Sequence, residues 1–273
     1  MDAKEEQILQ EDIKEISSII SFQKRLFYPI TIPSDSEENQ IRNNILYSLH
    51  ELNLKSFETI QYLISTYKVS DIFALSRQIF ETTINMGLLA KPIIPDDLEK
   101  FCEYDFFQIN KGNTHIKEMK LDKYIKIEES RVSEISEKVK QIKQKRNYKN
   151  NPQSWTNTDL LSRTKLIDEN YLNYIPEQNK HFYELLYCQL YRASSQVLHA
   201  TPAGFLKMYE FNPELKKNSV THYKLKLVDG IMMKAAEYTI ISFLSSIRFF
   251  GIYLNKTEAE EYFKEKILEH YNL

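Results

Sequence analysis

Residues that turn a chain are scarce here: 5 glycines and 8 prolines are spread through 273 residues. A β-sandwich or barrel needs a turn signal about every ten residues. A phosphate-cradling loop needs its glycines clustered. This chain meets neither demand, while Leu, Ile, Lys, Glu and Gln, all compatible with helices, are abundant. The expected fold class is therefore all-α, and the length is ample for a real hydrophobic core.

The spacing of apolar residues predicts where the helices lie. Ile8, Leu9, Ile13, Ile16, Ile19 and Ile20 mark an amphipathic helix over about 5–26, ended by Pro29 and Pro33. Ser34-Asp35-Ser36-Glu37-Glu38 offers N-cap candidates followed by first-turn acids, opening a helix over about 37–67 with room to bend or break once. A third helix, from Ser70 or Asp71 to about Ala90, is apolar on most of its circumference and belongs at the centre of the fold. A fourth covers about 96–119 and is rich in aromatic residues. Between about 120 and 158 the composition turns polar and charged: a solvated helix with few core contacts over 127–145, then a loop holding Trp155.

A short helix follows over 159–170, then one continuous helix over 178–199. Thr201-Pro202-Ala203-Gly204 breaks the chain, and 205–226 suits either a short helix or a loop. A long apolar helix is expected over 227–253 and a last one over 257–271, with Thr257 as N-cap and Glu260 in the capping-box position. No repeat and no linker divides the sequence. The organisation read from it is one helical domain, 1–273: an N-terminal helix (1–36), a first helical half (37–119), a polar insertion (120–158) and a second half (159–273).

A formal net charge of −2 excludes a protein that coats nucleic acid by bulk charge, though not a local basic groove. Two cysteines in apolar helical contexts, Cys102 and Cys188, suit a reducing cytoplasm better than a disulfide framework. The acidic start Met1-Asp2-Ala3-Lys4-Glu5-Glu6 lacks a signal-peptide layout. Lys234, Glu237 and Arg248 interrupt the most apolar window, which therefore reads as a core helix and not a membrane span. A cytoplasmic protein without membrane contact is expected.

Chemistry concentrates on the 178–199 helix. Arg192, Ser195, Gln196 and His199 fall at i, i+3, i+4 and i+7, so about 3.6 residues per turn puts them on one stripe. Tyr183, Tyr187 and Tyr191 run along a neighbouring one. An arginine supplies a fixed positive charge and a histidine a group that exchanges protons near neutrality, a pair suited to one phosphodiester. The plainer reading is that both oppose the helix dipole at its C-terminal end. In the third helix Arg77 precedes Glu81 by four residues, the weaker order for a helix-surface pair. That leaves either a buried structural ion pair or a charged wall that orients a ligand or His199.

No histidine carries a glutamate three residues before it, and no His-Glu-x-x-His, Walker loop, dinucleotide fingerprint or Gly-x-Ser-x-Gly elbow occurs. No metal and no cofactor is called for. Lys138, Lys143, Lys145 and Arg146, with Tyr148 and Trp155 nearby, form a basic run that suits single-stranded nucleic acid or, more plainly, a solvated helix diluted by Glu134 and Glu137.

Arg192-x6-His199 resembles the Arg-x(4–6)-His motif of the HEPN superfamily (higher eukaryotes and prokaryotes nucleotide-binding domains), helical proteins many of which are metal-independent ribonucleases. More closely, Arg77-Gln78-Ile79-Phe80-Glu81, Trp155 and the Tyr183…Tyr187…Tyr191-Arg192…Ser195…His199 run resemble a large bacterial family of uncharacterised helical domains, over roughly Ile45 to Phe205. One departure is Ala193, where HEPN ribonucleases usually carry a polar residue. The resemblance implies a HEPN-like bundle, a homodimer with a composite cleft, single-stranded RNA or tRNA as substrate, and an antitoxin or antiphage-defence partner. It also implies roles: His199 for proton transfer, Arg192 for transition-state charge, Ser195 and Gln196 for the phosphate, with Arg77, Glu81 and Tyr191 in support. A non-catalytic module binding nucleotide, RNA or protein through the same cleft is the alternative.

Overall fold

Helical periodicity in the sequence becomes helix almost everywhere. A computed structural model describes residues 3–28, 36–124, 128–172, 180–210, 226–227 and 230–271. Pro29, Pro33, the expected helix starts at Ile127 and Gln178, and residues 211–225 lie outside them. The helices are α1 (Ala3–Phe27), α2 (Glu37–Ser65), α3 (Val69–Ala90), α4 (Asp97–Glu118), α5 (Glu129–Arg146), α6 (Leu160–Tyr171), α7 (Phe182–Leu186), α8 (Arg192–Leu198), α9 (Pro202–Met208), α10 (Ile231–Tyr253) and α11 (Thr257–Tyr271). Among the described residues the only strands are β1 (Tyr209–Glu210) and β2 (Lys226–Leu227), an antiparallel pair that leaves the fold all-α. No described helix is long and apolar enough to cross a membrane.

Local chemistry explains the ends. Ser36 caps α2, its Oγ accepting from the Asn39 amide at 3.1 Å, and α2 then runs unbroken to Ser65. Asp159 does the same for α6 through the Ser162 amide at 2.7 Å. Thr201-Pro202-Ala203-Gly204 starts a helix where the sequence suggests only a break: proline suits the first helical turn, and Thr201 Oγ1 accepts from the Gly204 amide at 3.1 Å.

The chain forms two compact units, residues 1–91 with 164–273, and residues 92–163. In the first, α3 and α10 pack along each other at the centre with α2 beside both. Buried hydroxyls line this seam. Thr239, Ser242 and Ser245 satisfy themselves on carbonyls one turn back, at 2.7, 2.8 and 2.9 Å. Asn53 donates to Thr83 Oγ1 at 3.2 Å and Ser246 Oγ at 3.0 Å, which joins the three helices through short side chains. Gly87 permits the closest approach, since a Cβ there would meet Ile167 Cδ1 at 2.6 Å and Phe249 Cε2 at 2.9 Å. Between α1, α2 and α10, the fully buried His50 ring stacks on Phe250 with 4.6 Å between centroids and bonds Gln23 at 3.0 Å. Burial pushes its imidazole down to about 3.

Glu260, in the first turn of α11, also answers a buried charge. It holds Arg248, which is 1% exposed, through Nε at 2.6 Å and Nη2 at 3.1 Å, while Nη2 also donates to the Tyr171 carbonyl at 2.8 Å. Desolvating a guanidinium is costly, and the acid offsets that cost.

In the second unit α5 is less solvated than its composition suggests. Val132, Ile135, Val139 and Ile142 form one buried stripe, and Phe107 of α4 packs on its last two members. The lysines and glutamates of α5 flank that stripe without displacing it from the core.

Candidate functional site

The expected 178–199 helix is not one continuous α-helix. After α7 the chain widens into a π-turn over Tyr187–Tyr191, in which the Arg192 amide donates to the Tyr187 carbonyl five residues back, and then tightens into α8. A π-turn takes in about one extra residue, so everything after it is rotated by roughly 100° against a continued α-helix. Apolar spacing carries no sign of it. Tyr183, Leu186, Leu190 and Val197 are buried at spacings that an uninterrupted helix would satisfy equally.

The segment is tied down at both ends. Asp168 of α6, 5% exposed, accepts from the amides of Tyr183 at 2.9 Å and Glu184 at 3.0 Å, and so caps α7 from another helix. Burial pushes this carboxyl up to about 7 against the pull of those two donors. At the other end Thr201 donates to the Gln196 carbonyl through its amide at 3.2 Å and its hydroxyl at 3.1 Å. Gly204 lies so close above that carbonyl that a Cβ would meet its oxygen at 2.1 Å. Only glycine lets α9 fold back onto α8.

Of the residues singled out from the sequence, Arg77 and Tyr191 are brought into contact. Arg77 Nη2 donates to Tyr191 Oη at 2.9 Å, and its guanidinium carbon lies 4.5 Å from the ring centroid. Tyr187 stacks on Tyr191 with centroids 5.3 Å apart and planes 17° apart. Arg77, Glu81 and Tyr191 are half-buried. The hydrogen bond of Arg77 thus goes to a tyrosine beside the motif, and Glu81, one turn further along α3, is engaged as well.

The Arg192–His199 stripe survives, because all of it follows the π-turn. Arg192 and His199 are exposed at its two ends, with Ser195 and Gln196 half-buried between them. Gln196 Oε1 is a buried oxygen without a hydrogen-bond partner among the described residues. Leu198 of α8, Leu185 of α7 and Leu206 of α9 are exposed apolar side chains.

The basic run on α5 divides. Arg146 holds Asp96 at 2.7 Å, Glu99 at 2.5 Å and Glu103 at 2.9 Å, and Lys145 bonds Glu99 and Glu103. Arg146 beside Asp96, and Lys145 beside Glu99, hold those carboxyls below the usual carboxylate range. Lys138 is exposed and Lys143 half-buried, neither with an ion pair among the described residues. Trp155 is 4% exposed, edge-on to Phe101 at 5.5 Å, and Tyr148 packs on the Phe107 cluster. Both aromatic residues serve the core of this unit.

A separate open cleft of about 560 Å³ is lined by Lys165, Asp168, Glu169, His181 and Glu184 among others. Its charges answer one another, with His181 Nδ1 at 2.7 Å from Glu184, and no residue of the motif stripe reaches it.

A family model described as a family of unknown function (DUF5677) matches residues 43–216, which spans the Arg77 helix, Trp155 and the whole motif segment. No curated protein and no solved structure matches the chain.

Proposed function

The chain belongs to the DUF5677 family, and we propose that it is a metal-independent endoribonuclease of HEPN-like type with its reacting groups on α8. One observation carries this reading: Arg192 and His199 share a helix face, both are exposed, and neither holds an ion pair among the described residues. A charge left open at the surface costs the fold little and stays available to a ligand.

In this reading the RNA 2′-oxygen attacks the adjacent phosphorus, and the His199 imidazole takes the 2′-hydroxyl proton as the new P–O bond forms. The Arg192 guanidinium faces the negative charge that gathers on the non-bridging oxygens. Ser195 and the Gln196 amide position the phosphate. Breaking the P–O5′ bond leaves a 2′,3′-cyclic phosphate and an alkoxide that needs a proton. A second copy of the chain supplies the acid, which makes a homodimer with a shared cleft the working form. Single-stranded RNA or tRNA is the substrate, and a cytoplasmic role in antiphage defence or beside an antitoxin is the setting.

The test is cleavage of mixed single-stranded RNA and tRNA in EDTA by wild type beside His199→Ala. Loss of at least ~100-fold in rate is expected in the variant. Equal cleavage by both proteins would sink the proposal.

A second reading has its own observation. Ala193, directly after Arg192, is half-buried and apolar where HEPN ribonucleases usually carry a polar group. A module that binds nucleotide, RNA or protein on this face without turnover accommodates that residue, and predicts binding that Arg192→Ala weakens while no product forms.

A further inference from the structure

The π-turn and the Arg77 contact concern the same few atoms. Arg192 takes its helical position through a hydrogen bond that its backbone N–H donates to the Tyr187 carbonyl, five residues back. Tyr191, the residue before it, is held from α3 by the Arg77 hydrogen bond at 2.9 Å and by the guanidinium against its ring. Tyr187, whose carbonyl receives the Arg192 amide, stacks on that same ring. A π-turn has poorer backbone geometry than an α-turn, so it persists where side chains hold it. Here three side chains from two helical segments do so, immediately before the stripe.

We propose that Arg77 is a positioning residue that acts through Tyr191: it holds the Tyr187–Tyr191 π-turn open, and the turn fixes the direction in which Arg192 and His199 face. This rests on the ribonuclease reading for its consequence, but not for its geometry. The sequence left Arg77, with Glu81, as either one half of a buried ion pair or part of a charged wall that orients a ligand or His199. The structure assigns it instead to the backbone that carries Arg192, with the histidine re-aimed as part of the same rigid helix. Tyr187 is thereby a member of the site although it touches no substrate.

The test separates holding the turn from catalysis. Arg77→Met keeps the length of the side chain and removes its donors and charge. Amide hydrogen exchange at Arg192, followed by NMR, is expected to quicken by at least ~10-fold while amides in α2 and α10 keep their protection. Tyr191→Phe, which loses only the hydroxyl, is expected to give a smaller change, and Arg77→Lys to restore part of the protection. Unchanged exchange at Arg192 in Arg77→Met overturns the proposal whatever the protein does to RNA.

Excision of Gln189, an exposed residue of the turn, lets the segment close as an α-helix. Because the closed helix then holds one residue fewer, the stripe keeps its direction, so adding this excision to Arg77→Met should return the RNA cleavage that the substitution alone lowers, with the far-UV helix signal kept. RNA cleavage by Arg77→Met at the wild-type rate overturns the claim that the turn aims the stripe. If excision prevents folding, the Arg77→Met exchange alone decides. A wild type that never cleaves RNA removes the ribonuclease reading, and the exchange at Arg192 still decides whether Arg77 holds the turn.

Discussion

At the corner of α10 and α11, Arg248 is 1% exposed and gives its donors to both oxygens of Glu260 and to the Tyr171 carbonyl. On α8, Arg192 is exposed and pairs with no acid among the described residues. One guanidinium has an acid beside it in the interior, and the other is left open. The difference follows from desolvation. A buried cation without its acid costs several kcal/mol, so folding itself requires Glu260 beside Arg248. An exposed cation keeps its water, so the fold makes no such demand at Arg192. Arg146 lies between these extremes, with three carboxylates around it but two of them largely exposed.

Removing the buried member should do the most damage. Arg248→Ala takes the buried guanidinium away from Glu260, which keeps Lys264 at 3.6 Å, and urea unfolding should show a loss of about 3–5 kcal/mol. Replacing both residues with apolar ones of similar volume should recover most of it. Should the single variant be nearly as stable as wild type, the contrast with Arg192 would fail.

A pH profile comes next in size. Asp168, raised to about 7, keeps a proton in the folded chain that the unfolded chain has released, so it lowers stability as pH rises from about 4 to about 7. His50, lowered to about 3, works in the opposite direction: the unfolded imidazole takes up a proton below about 6.5 and the folded one does not. Its contribution to stability is therefore lost as pH falls. Near pH 5 the two slopes offset each other. Asp168→Asn should expose a rise in stability with pH between about 4.5 and 6.5, with a limiting slope near ~1.4 kcal/mol per pH unit. Urea midpoints at three pH values would check the sign.

Arg146→Ala should cost only about 1 kcal/mol, shrinking further in 0.5 M salt (about a 4 Å Debye length), because two of its partners are screened by water. Smallest of all, Arg192→Ala and His199→Ala should move the unfolding free energy by less than ~0.5 kcal/mol. A large loss in either would mean that the open face is structural after all.

How far the sequence could be read depended on the range of the interaction. Ser36 among the cap candidates of α2, the end of α3 at Ala90 with its start within two residues of Val69, and the central place of α3 were legible, because a cap reaches three residues and an amphipathic pattern repeats every turn. The stripe of Arg192, Ser195, Gln196 and His199 was legible for the same reason. Arg77 and Tyr191 were each visible as unusual, but their contact joins residues 114 apart, and spacing says nothing about that. Glu260 was legible as a first-turn acid of α11, but its hold on Arg248 was not. The buried stripe of α5 was masked by the lysines and glutamates that outnumber it, and it needed Phe107 to show which face was covered.

The sequence by itself therefore determined that this chain is helical, where most helices begin and end, and which four residues share the candidate face. Those properties are set by bonds and packing within a few residues. The tertiary structure alone decided that the motif helix widens before Arg192, that Arg77 grips Tyr191 there, and that Arg248 is answered while Arg192 is not. Each of those outcomes depends on a partner brought in from elsewhere in the chain, and the energy of a buried or π-turned group has no value until that partner is in place.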